Sequence, residues 1–567
     1  MQKNKSFTGQ LYSLFLKGWH PYFWLIVACF FIYLKTLTFY FTYFDDNTLI
    51  LDNFWFLRDI GNILKCFTKS VFLRDTDLYY RPVMLISLML DAQIGGIAPL
   101  VYHFTNILLH AAAACLVFRL FTGLSHGREK AFFISLLFMA HPALTQAVAW
   151  IPGRNDSLFG IFALLAFITY TGLEETSDIR RYALYMLYFN IALYAKETAV
   201  MLVPAGILYT LMVKKKGLLP GRTALMVSGW TASAVLWMVM RNVSMGVFQK
   251  QNIPDTGAGL KEILPGMIQY LGKAVLPFNL SVFPTNSDTS LAYGCEAAAI
   301  IAVMLLSAPR ERVNRSLFGL AWLVMFILPP FIVPDRVRLE HRLYVPVIGF
   351  LMVLAGVKWP GALKRWNLLR IAGVSAVLLF ASIAFVHSDN FINRLVFWKS
   401  AVKSSPRSSF AHKSLAVIYL DYGEKQLSET ELLKAVELDP RNVYARINLA
   451  IAYTDKGMFK EAEREFQISD SLKPNVDITY YNYGLLCFAR GDDARAEKAW
   501  LKTIALNPNC MQAYRSLAAF YFLKGNGDRS GYYSKLLNEK FSINSALPGS
   551  TVLDKRQWLY LYCKQGA

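Results

Sequence analysis

The sequence predicts an all-α protein in which a polytopic transmembrane bundle of about eleven helices precedes a water-soluble helical solenoid. Composition supports the membrane part, because 55% of the 567 residues are hydrophobic and 14% are aromatic, well above the usage of ordinary soluble domains. The apolar residues fall into blocks of roughly 20, the length with which an α-helix crosses a bilayer. The solenoid is predicted from a 34-residue period near the C-terminus.

The predicted spans alternate with short loops, of which every second one is basic. We place the spans at 22–43, 100–122, 131–150, 157–173, 182–195, 197–213, 223–241, 290–307, 316–333, 342–357 and 368–388. If the basic N-terminus is cytoplasmic, the cytoplasmic loops carry Arg128 and Lys130, Arg180 and Arg181, Lys214 to Lys216, Arg310 to Arg315, and Lys358 to Arg365. This is the distribution that the positive-inside rule requires. Because the number of spans is odd, we expect the repeats outside the cytoplasm.

One further apolar segment, 263–283, is not counted as a span. It is interrupted by Pro265, Gly272 and Pro277, and it contains Lys273. Counting it would move the basic loop around Arg312 to the outer side, against the positive-inside rule. We therefore expect an interfacial or re-entrant segment.

Charge and cysteine placement narrow the classes of function. The net charge is +20, but the basic residues occupy short loops between apolar blocks, so we do not predict nucleic-acid binding. The seven cysteines form no CxxC pair, and neither a zinc site nor a disulfide framework is predicted. The first apolar block, starting near Pro21, is long and lacks a small-residue cleavage site, so we expect a retained span and no signal peptide.

The C-terminal part contains four repeats in one register. Prolines recur at 406, 440, 474 and 508, and glycines at 423, 457, 491 and 525. Small residues recur where the two helices of a hairpin would pack, at Ala416, Ala450, Gly484 and Ala518 and again at Ser428, Ala462, Ala496 and Ser530. This pattern resembles tetratricopeptide repeats, which stack into a superhelix with a concave surface that binds peptide. The alternative is an assembly scaffold.

Charged and polar residues at the borders of the spans all fall on the predicted outer side. Such residues are costly near lipid and are usually functional. They are Asp45, Asp46, Tyr80, Arg81, Asp91, His103, His141, Gln146, Arg154, Asp156, Lys196, Glu197, Arg336, Arg338, Glu340, His341 and Arg342. Arginines bind phosphate bidentately, and one of two adjacent carboxylates can be tuned into a general base. The cluster therefore suits chemistry on a lipid-linked anionic substrate.

Simpler interpretations remain open for single residues. Asp45 and Asp46 could be a solvated turn that ends a helix, and His141 could be a core histidine beside Pro142. Lys196 and Glu197 could be an ion pair between short helices.

Seven strings, in order, resemble bacterial relatives of the TMTC-type proteins. They are FDDNTLI, YYRPVMLISLMLD, YHFTNILLH, HPALTQAVAWIPGRND, AKETAVMLVP, LPFNLSV and LEHRLYVPVIGF, and together they cover nearly the whole chain. The resemblance implies a glycosyltransferase C (GT-C) membrane domain, residues 1–395, four tetratricopeptide repeats, residues 396–540, and a C-terminal capping segment, residues 541–567, with a closing helix near 554–564.

The resemblance also implies a reaction. A sugar, mannose in the eukaryotic members, would pass from a polyprenyl-phosphate donor to Ser or Thr of an acceptor polypeptide held in the repeat groove. The acidic residue in the first outer loop is the base, which matches Asp45 or Asp46, and we favour Asp45. The predicted donor and phosphate ligands are Arg81, His141, Arg154, Lys196, Glu197, Arg338, Glu340, His341 and Arg342. A divalent cation is possible, with Asp45, Asp46 and Asp156 as candidate ligands.

Two departures from the family pattern affect the phosphate ligand. The family usually has Glu where this chain has Gln146, and it has Arg directly after the Glu where this chain has His341. Arg342 or Arg338 would then replace that arginine. The expected location is a bacterial inner membrane with periplasmic repeats. The alternatives are transfer to an envelope polysaccharide or lipid, and a non-catalytic membrane-anchored scaffold.

Overall fold

The computed structural model describes residues 14–73, 79–173, 178–216, 220–245, 260–331, 337–357 and 366–541. The predicted all-α class is confirmed for these residues. The chain divides into two compact units, Met1–Ser405 and Pro406–Ala567. The predicted closing helix near 554–564 lies outside the described residues.

The first unit is a bundle of apolar helices that we number α1 to α16. They are α1 His20–Tyr33, α2 Phe54–Leu57, α3 Pro82–Gly95, α4 Pro99–Gly123, α5 Arg128–Met139, α6 Thr145–Ala149, α7 Arg154–Leu173, α8 Ile179–Ala195, α9 Leu202–Leu208, α10 Pro220–Met245, α11 Leu260–Val275, α12 Ala292–Leu306, α13 Arg310–Ile327, α14 Pro346–Gly356, α15 Trp366–Ser388 and α16 Arg394–Ser404. Several begin with proline, whose fixed φ and missing N–H suit the first helical turn.

Each of the eleven predicted spans coincides with helical structure. Within the described ranges, seven helical segments are long and apolar enough to cross a bilayer, and α5 with the segment Pro142–Ala149 makes an eighth, bent by 52°. The remaining predicted spans correspond to α8, α12 and α14, of 17, 15 and 11 residues; α8 is at the lower limit for a crossing, and α12 and α14 are shorter than a full crossing needs. The bend follows His141, where Pro142 interrupts the backbone hydrogen bonding.

Glycines let α13 and α14 approach each other closely. A Cβ added to Gly349 would lie 2.4 Å from the carbonyl oxygen of Gly319, and one added to Gly319 would lie 2.7 Å from the carbonyl of Gly349. Small residues at helix crossings are the usual solution where lipid provides no hydrophobic driving force.

The segment 263–283 is a 16-residue helix, α11, followed by an extended loop. Pro265 lies within the first turns of the helix, and Lys273 and Gln269 on it are buried. The segment is not among the helices with the length and composition of a span. The loop that follows contributes Ser281 and Phe283 to the site described below.

Up to residue 541, the last one described, the second unit contains eight antiparallel helices, four hairpins in succession. They are α17 Ser409–Asp421, α18 Lys425–Leu438, α19 Val443–Asp455, α20 Phe459–Leu472, α21 Asp477–Arg490, α22 Asp493–Leu506, α23 Met511–Leu523 and α24 Gly527–Phe541. The turn glycines all have positive φ, for example 91° at Gly491, as helix C-caps require. The small residues predicted at the helix contacts are buried, and Trp500 fills the space above Gly484. The predicted tetratricopeptide solenoid is confirmed.

Helix α16 belongs to the first unit. The predicted domain boundary at residues 395/396 therefore lies before this helix, whereas the compact units meet after Ser405. The reason is that Phe397 and Trp398 are buried against the membrane unit.

Candidate functional site

The loop that follows α1 carries the two predicted catalytic aspartates in a strained conformation. Tyr43 and Asp45 have φ values of 57° and 69°, in the left-handed region that costs free energy for residues other than glycine. Such strain persists only where surrounding contacts impose it, and it is concentrated at functional sites. Asp45 is only partly buried.

Asp46 has a different environment from Asp45. It is 1% exposed, and its Oδ2 accepts hydrogen bonds from the backbone N–H and the hydroxyl of Thr42 at 2.7 and 2.9 Å. Burial raises the pKa of Asp46 to about 7, although the Thr42 bonds oppose the shift. Asp46 therefore closes the turn and is more buried than Asp45 beside it.

Aromatic rings hold this loop from three sides. The ring of Phe44 stacks on Trp150 with centroids 5.1 Å apart and on Phe397 at 5.6 Å, and it meets Phe283 and Trp398 edge-on at 5.5 and 5.7 Å. The indole N–H of Trp150 also donates to the carbonyl of Phe44 at 2.9 Å. We call these five residues the aromatic cage. Because Phe44 lies between the two strained residues, the cage fixes the backbone that presents Asp45.

A group of paired charges lies on the other side of Trp150. Arg81 forms a two-point ion pair with Glu197, at 2.9 and 3.4 Å. Nζ of Lys196 lies 2.7 Å from Oδ1 of Asp156, with both side chains less than a tenth exposed. Arg81 and Glu197 are more accessible, with 17% and 38% of their side chains exposed. The structure thus brings together four of the predicted polar residues, and Arg81 is the cation that a ligand can reach most easily.

His341 connects this charged group to the aromatic cage. Its ring centroid lies 5.3 Å from that of Trp150, and its Nε2 lies 3.7 Å from Oδ2 of Asp156. Gln146 donates its amide to the carbonyl of Val282 at 3.1 Å, which orients its oxygen toward Nδ1 and the backbone N–H of His341 at 3.1 and 3.2 Å. An amide oxygen can only accept, so Nδ1 of His341 carries the proton. Gln146 therefore sets the tautomer of His341. These are the two positions at which the sequence departs from the family pattern.

Glu340 points away from His341 into a buried cluster. Its Oε1 lies 2.6 Å from Nζ of Lys273 and accepts the backbone N–H of Ser281 at 2.7 Å. Its Oε2 lies 3.4 Å from Nε2 of His387 near the end of α15. Glu340 is fully buried, so these partners are needed to offset its desolvation. Glu340 therefore fixes α11 and the following loop beside His341 and is not placed to bind phosphate.

Arg154, predicted as a phosphate ligand, is fully buried and occupied by protein groups. Its guanidinium pairs with Asp91 at 2.6 Å, donates to Asn106 Oδ1 at 3.0 Å, and donates to the carbonyl of Tyr102 at 2.8 Å and the hydroxyl of Ser87 at 3.2 Å. A guanidinium with this set of partners has little capacity for a phosphate. Arg154 therefore holds α3 and α4 against α7, and it is not among the phosphate ligands that we propose.

The other predicted ligands are less engaged in the charged group. His141 is buried, donates one hydrogen bond from Nε2 to the carbonyl of Ala274 at 3.1 Å and packs on Phe380, so the simpler interpretation as a core histidine fits it. Arg338 is 3% exposed and lies over the ring of Phe331. Arg342 is half-buried, donates to the carbonyl of Val337 at 3.1 Å and lies close enough to His341 to affect its charge.

The candidate metal ligands Asp45, Asp46 and Asp156 are not gathered into one group. In the part of the chain that the structure describes, no group of three or more His, Cys, Asp and Glu side chains could hold a metal ion. Asp156 is instead paired with Lys196.

Sequence reasoning missed Trp150, Lys273 and His387. Trp150 stands in the string AWIPGRND, but an aromatic residue in an apolar block gives no signal of its own. Lys273 and His387 could have been found as charged or titratable residues inside apolar segments. Their partner, Glu340, is 67 and 47 residues away in sequence, and only the fold brings them together.

The fold and the site define the class: a polytopic helical membrane protein with a charged cluster at its core and a tetratricopeptide-type solenoid attached.

The chain is similar to TMTC-type protein O-mannosyl-transferases. Protein O-mannosyl-transferase F38B6.6 of Caenorhabditis elegans is 24% identical over 423 residues, covering 69% of this chain and 59% of that protein. Tmtc1 of Drosophila melanogaster is 34% identical over 175 residues, covering 30% of this chain and 20% of that protein. Human TMTC3 is 27% identical over 190 residues, covering 31% and 20%. The chain thus spans less than two thirds of these relatives.

No protein-family model matches the chain. Among solved structures, the crystal structure of MamA is 28% identical and covers 26% of this chain and 85% of its own, with a TM-score of 0.23. Pseudomonas aeruginosa PilF is 18% identical and covers 35% of this chain and 79% of its own, also with a TM-score of 0.23.

Proposed function

We propose that this chain is a GT-C type membrane glycosyltransferase that moves a sugar from a polyprenyl-phosphate donor to a Ser or Thr hydroxyl of an acceptor protein. The curated relatives are named protein O-mannosyl-transferases, which supports mannose as the sugar. The observation that carries the proposal is the position of Trp150. Its indole binds the loop that presents Asp45, and its ring packs on His341 of the charged group.

In the proposed reaction Asp45 accepts the proton of the acceptor hydroxyl as the oxygen attacks the anomeric carbon. The bond between that carbon and the donor phosphate oxygen breaks, with inversion, and polyprenyl phosphate leaves with both electrons of the bond. Arg81, Lys196 and Arg342 supply positive charge for the leaving phosphate, which a preorganised site stabilises better than water does. Glu197 accepts hydrogen bonds from Nε and Nη2 of Arg81, so Nη1 is the nitrogen that we assign to the phosphate.

The test is transfer of labelled mannose from polyprenyl-phosphate mannose to a Ser/Thr peptide by the purified full chain. General-base catalysis contributes roughly 100- to 10,000-fold, so Asp45→Asn should lower transfer by at least about 100-fold. Asp59→Asn is the matched control, because Asp59 is an exposed carboxylate that caps a short turn, a role that Asn also fills. Equal activity of the wild type and Asp45→Asn, or equal loss in both variants, contradicts the assignment.

We further propose that the site and the repeats face the extracytoplasmic side and that the repeat groove holds the acceptor. The basic loops assigned to the cytoplasm support this sidedness. Alkaline phosphatase fused after Ser405 should be active outside the cytoplasm, and an inactive fusion would reverse the topology. Removal of α17 to α24 should raise the KM for protein acceptors more than the KM for a short peptide. Sugar found on an envelope polysaccharide and absent from proteins would instead support the alternative acceptor.

A further inference from the structure

Three segments of the membrane unit bring basic side chains together beside the end of α14, on the side that the positive-inside rule assigns to the cytoplasm. These segments are the turn after α4, the start of α5 and the start of α13. Nη1 of Arg315 lies 3.4 Å from the carbonyl of Leu124 at the end of α4. Lys130 near the start of α5 donates to the carbonyl of Ala355 at the end of α14. His126, Lys130, Arg312 and Arg315 form what we call the basic corner.

The basic corner is poorly neutralised. Burial and then the charges of Lys130, Arg315 and Arg312 lower the pKa of His126 to about 4, which places the three cations around one imidazole. Residues 124–131 and 309–316 contain five Lys and Arg against two carboxylates, Glu129 and Glu311. Like charges in a partly desolvated place repel each other strongly unless an anion is present.

The helices at the basic corner add to the positive potential. Both α5 and α13 begin there, with 12 and 18 residues, and a helix N-terminus carries roughly half a positive charge. Two of the three cations of the basic corner are also partly shielded from solvent, whereas Arg312 is exposed. Lys130 and Arg315 are half-buried, whereas Lys215 and Lys216 are exposed. A solvated face produced by the positive-inside rule alone would resemble the second pair.

We propose that the basic corner binds the phosphate headgroup of an anionic phospholipid from the cytoplasmic leaflet. The phosphate would neutralise Arg312 and Arg315 and accept from the first turns of α5 and α13, while the acyl chains lie against the apolar surface of the bundle. The chemistry is that of a phosphate monoanion, and the position at the end of the spanning helices favours a lipid over free phosphate. The site would tie together the cytoplasmic ends of α4, α5, α13 and α14.

The experiment is native mass spectrometry of the full-length protein, purified in detergent and titrated with phosphatidylglycerol or phosphatidylcholine. The wild type should retain phosphatidylglycerol preferentially. Arg312→Gln with Arg315→Gln should weaken this binding by about 10- to 30-fold, since each basic residue near a lipid surface contributes roughly a fivefold change. Lys215→Gln with Lys216→Gln removes the same charge on the same predicted side and should change binding by less than about twofold.

If the double variant folds poorly, Arg312→Gln alone is used in its place. Arg312 is exposed, so its replacement should not disturb the fold. It should weaken binding by about fivefold. Equal binding of the two lipids, or equal loss in the basic-corner and Lys215/Lys216 variants, overturns the proposal. Full displacement of phosphatidylglycerol by millimolar inorganic phosphate overturns the lipid assignment and identifies a soluble anion site. The readout needs no transferase activity, so its failure is distinct from failure of the proposed function.

Discussion

Replacing Arg154 by Gln separates two roles that the sequence could not distinguish. If Arg154 fixes the fold, the substitution destabilises the protein, and if it binds donor phosphate, the substitution removes activity from a stable protein. The structure predicts the first outcome, because the guanidinium is fully buried and its ion pair with Asp91 spans 2.6 Å. Arg81→Gln is the matched comparison, since Arg81 is more exposed and lies in the charged group.

The magnitude follows from the partners that Arg154 leaves behind. Breaking a buried ion pair by removing one partner costs about 3 to 5 kcal/mol, because the other charge stays buried. Asp91 would retain the hydroxyl of Thr105 at 2.7 Å, which offsets part of that cost. The double variant Asp91→Asn with Arg154→Gln removes the uncompensated charge and should recover about half of the lost stability.

The assay is thermal unfolding of the purified full-length variants in detergent, with mannose transfer measured on the same samples. Arg154→Gln should unfold at a clearly lower temperature or fail to purify as a monodisperse species, and the double variant should be more stable than the single one. Arg81→Gln should unfold like the wild type and lose at least about tenfold in transfer. An Arg154→Gln protein with wild-type stability and no transfer would refute the structural role and restore Arg154 as a phosphate ligand.

Three further predictions test other parts of the account. Phe44→Ala should leave the protein folded but lower transfer by about 100-fold, as misplacement of a catalytic group does. Phe44→Tyr keeps the aromatic ring and should retain transferase activity. Loss of activity in both variants would show that the aromatic cage does more than position the loop. Burial raises the pKa of Asp46 to about 7, above the ordinary value near 4. The folded state therefore binds a proton that the unfolded state releases, and the stability of the protein should fall as pH rises from about 4 to 7. Thermal unfolding of Asp46→Asn should show a weaker fall with pH, and a profile equal to that of the wild type would contradict the assignment. Gly484→Ala would place a Cβ 2.5 Å from Trp500 and should destabilise the repeats by about 1 to 3 kcal/mol. The control is Gly531→Ala, where nothing lies within 4 Å of the added Cβ, and it should be neutral or stabilising. Chemical denaturation measures both variants.

The fold could be predicted from the sequence because its signals are local and repeated. Apolar blocks, basic loops and a 34-residue period each depend on residues close in the chain. Asp45 and Asp46 are proposed as site residues from a local pattern too, and that role stays a prediction. Nothing in the sequence marks the positive φ of Tyr43, because that conformation depends on packing against Trp150, Phe283, Phe397 and other distant residues.

The identity of the site residues was less predictable, because ion pairs form across the fold. Arg154 and Arg81 are both arginines beside apolar segments, and only their partners show that one is structural. Glu340 and His341 are adjacent in sequence but face different clusters, toward Lys273 and toward Asp156. Both residues lie in the short helical turn Glu340–Leu343, which determines the direction of each side chain.

The most direct test of the central claim is transfer of mannose from a polyprenyl-phosphate donor to protein by the purified full chain. We expect label on Ser or Thr of an acceptor peptide, with release of polyprenyl phosphate in equal amount. Asp45→Asn should lower this transfer by at least about 100-fold, while Asp59→Asn should leave it unchanged. Transfer that does not depend on Asp45, or a wild-type protein that binds the donor and modifies no hydroxyl, would contradict the account.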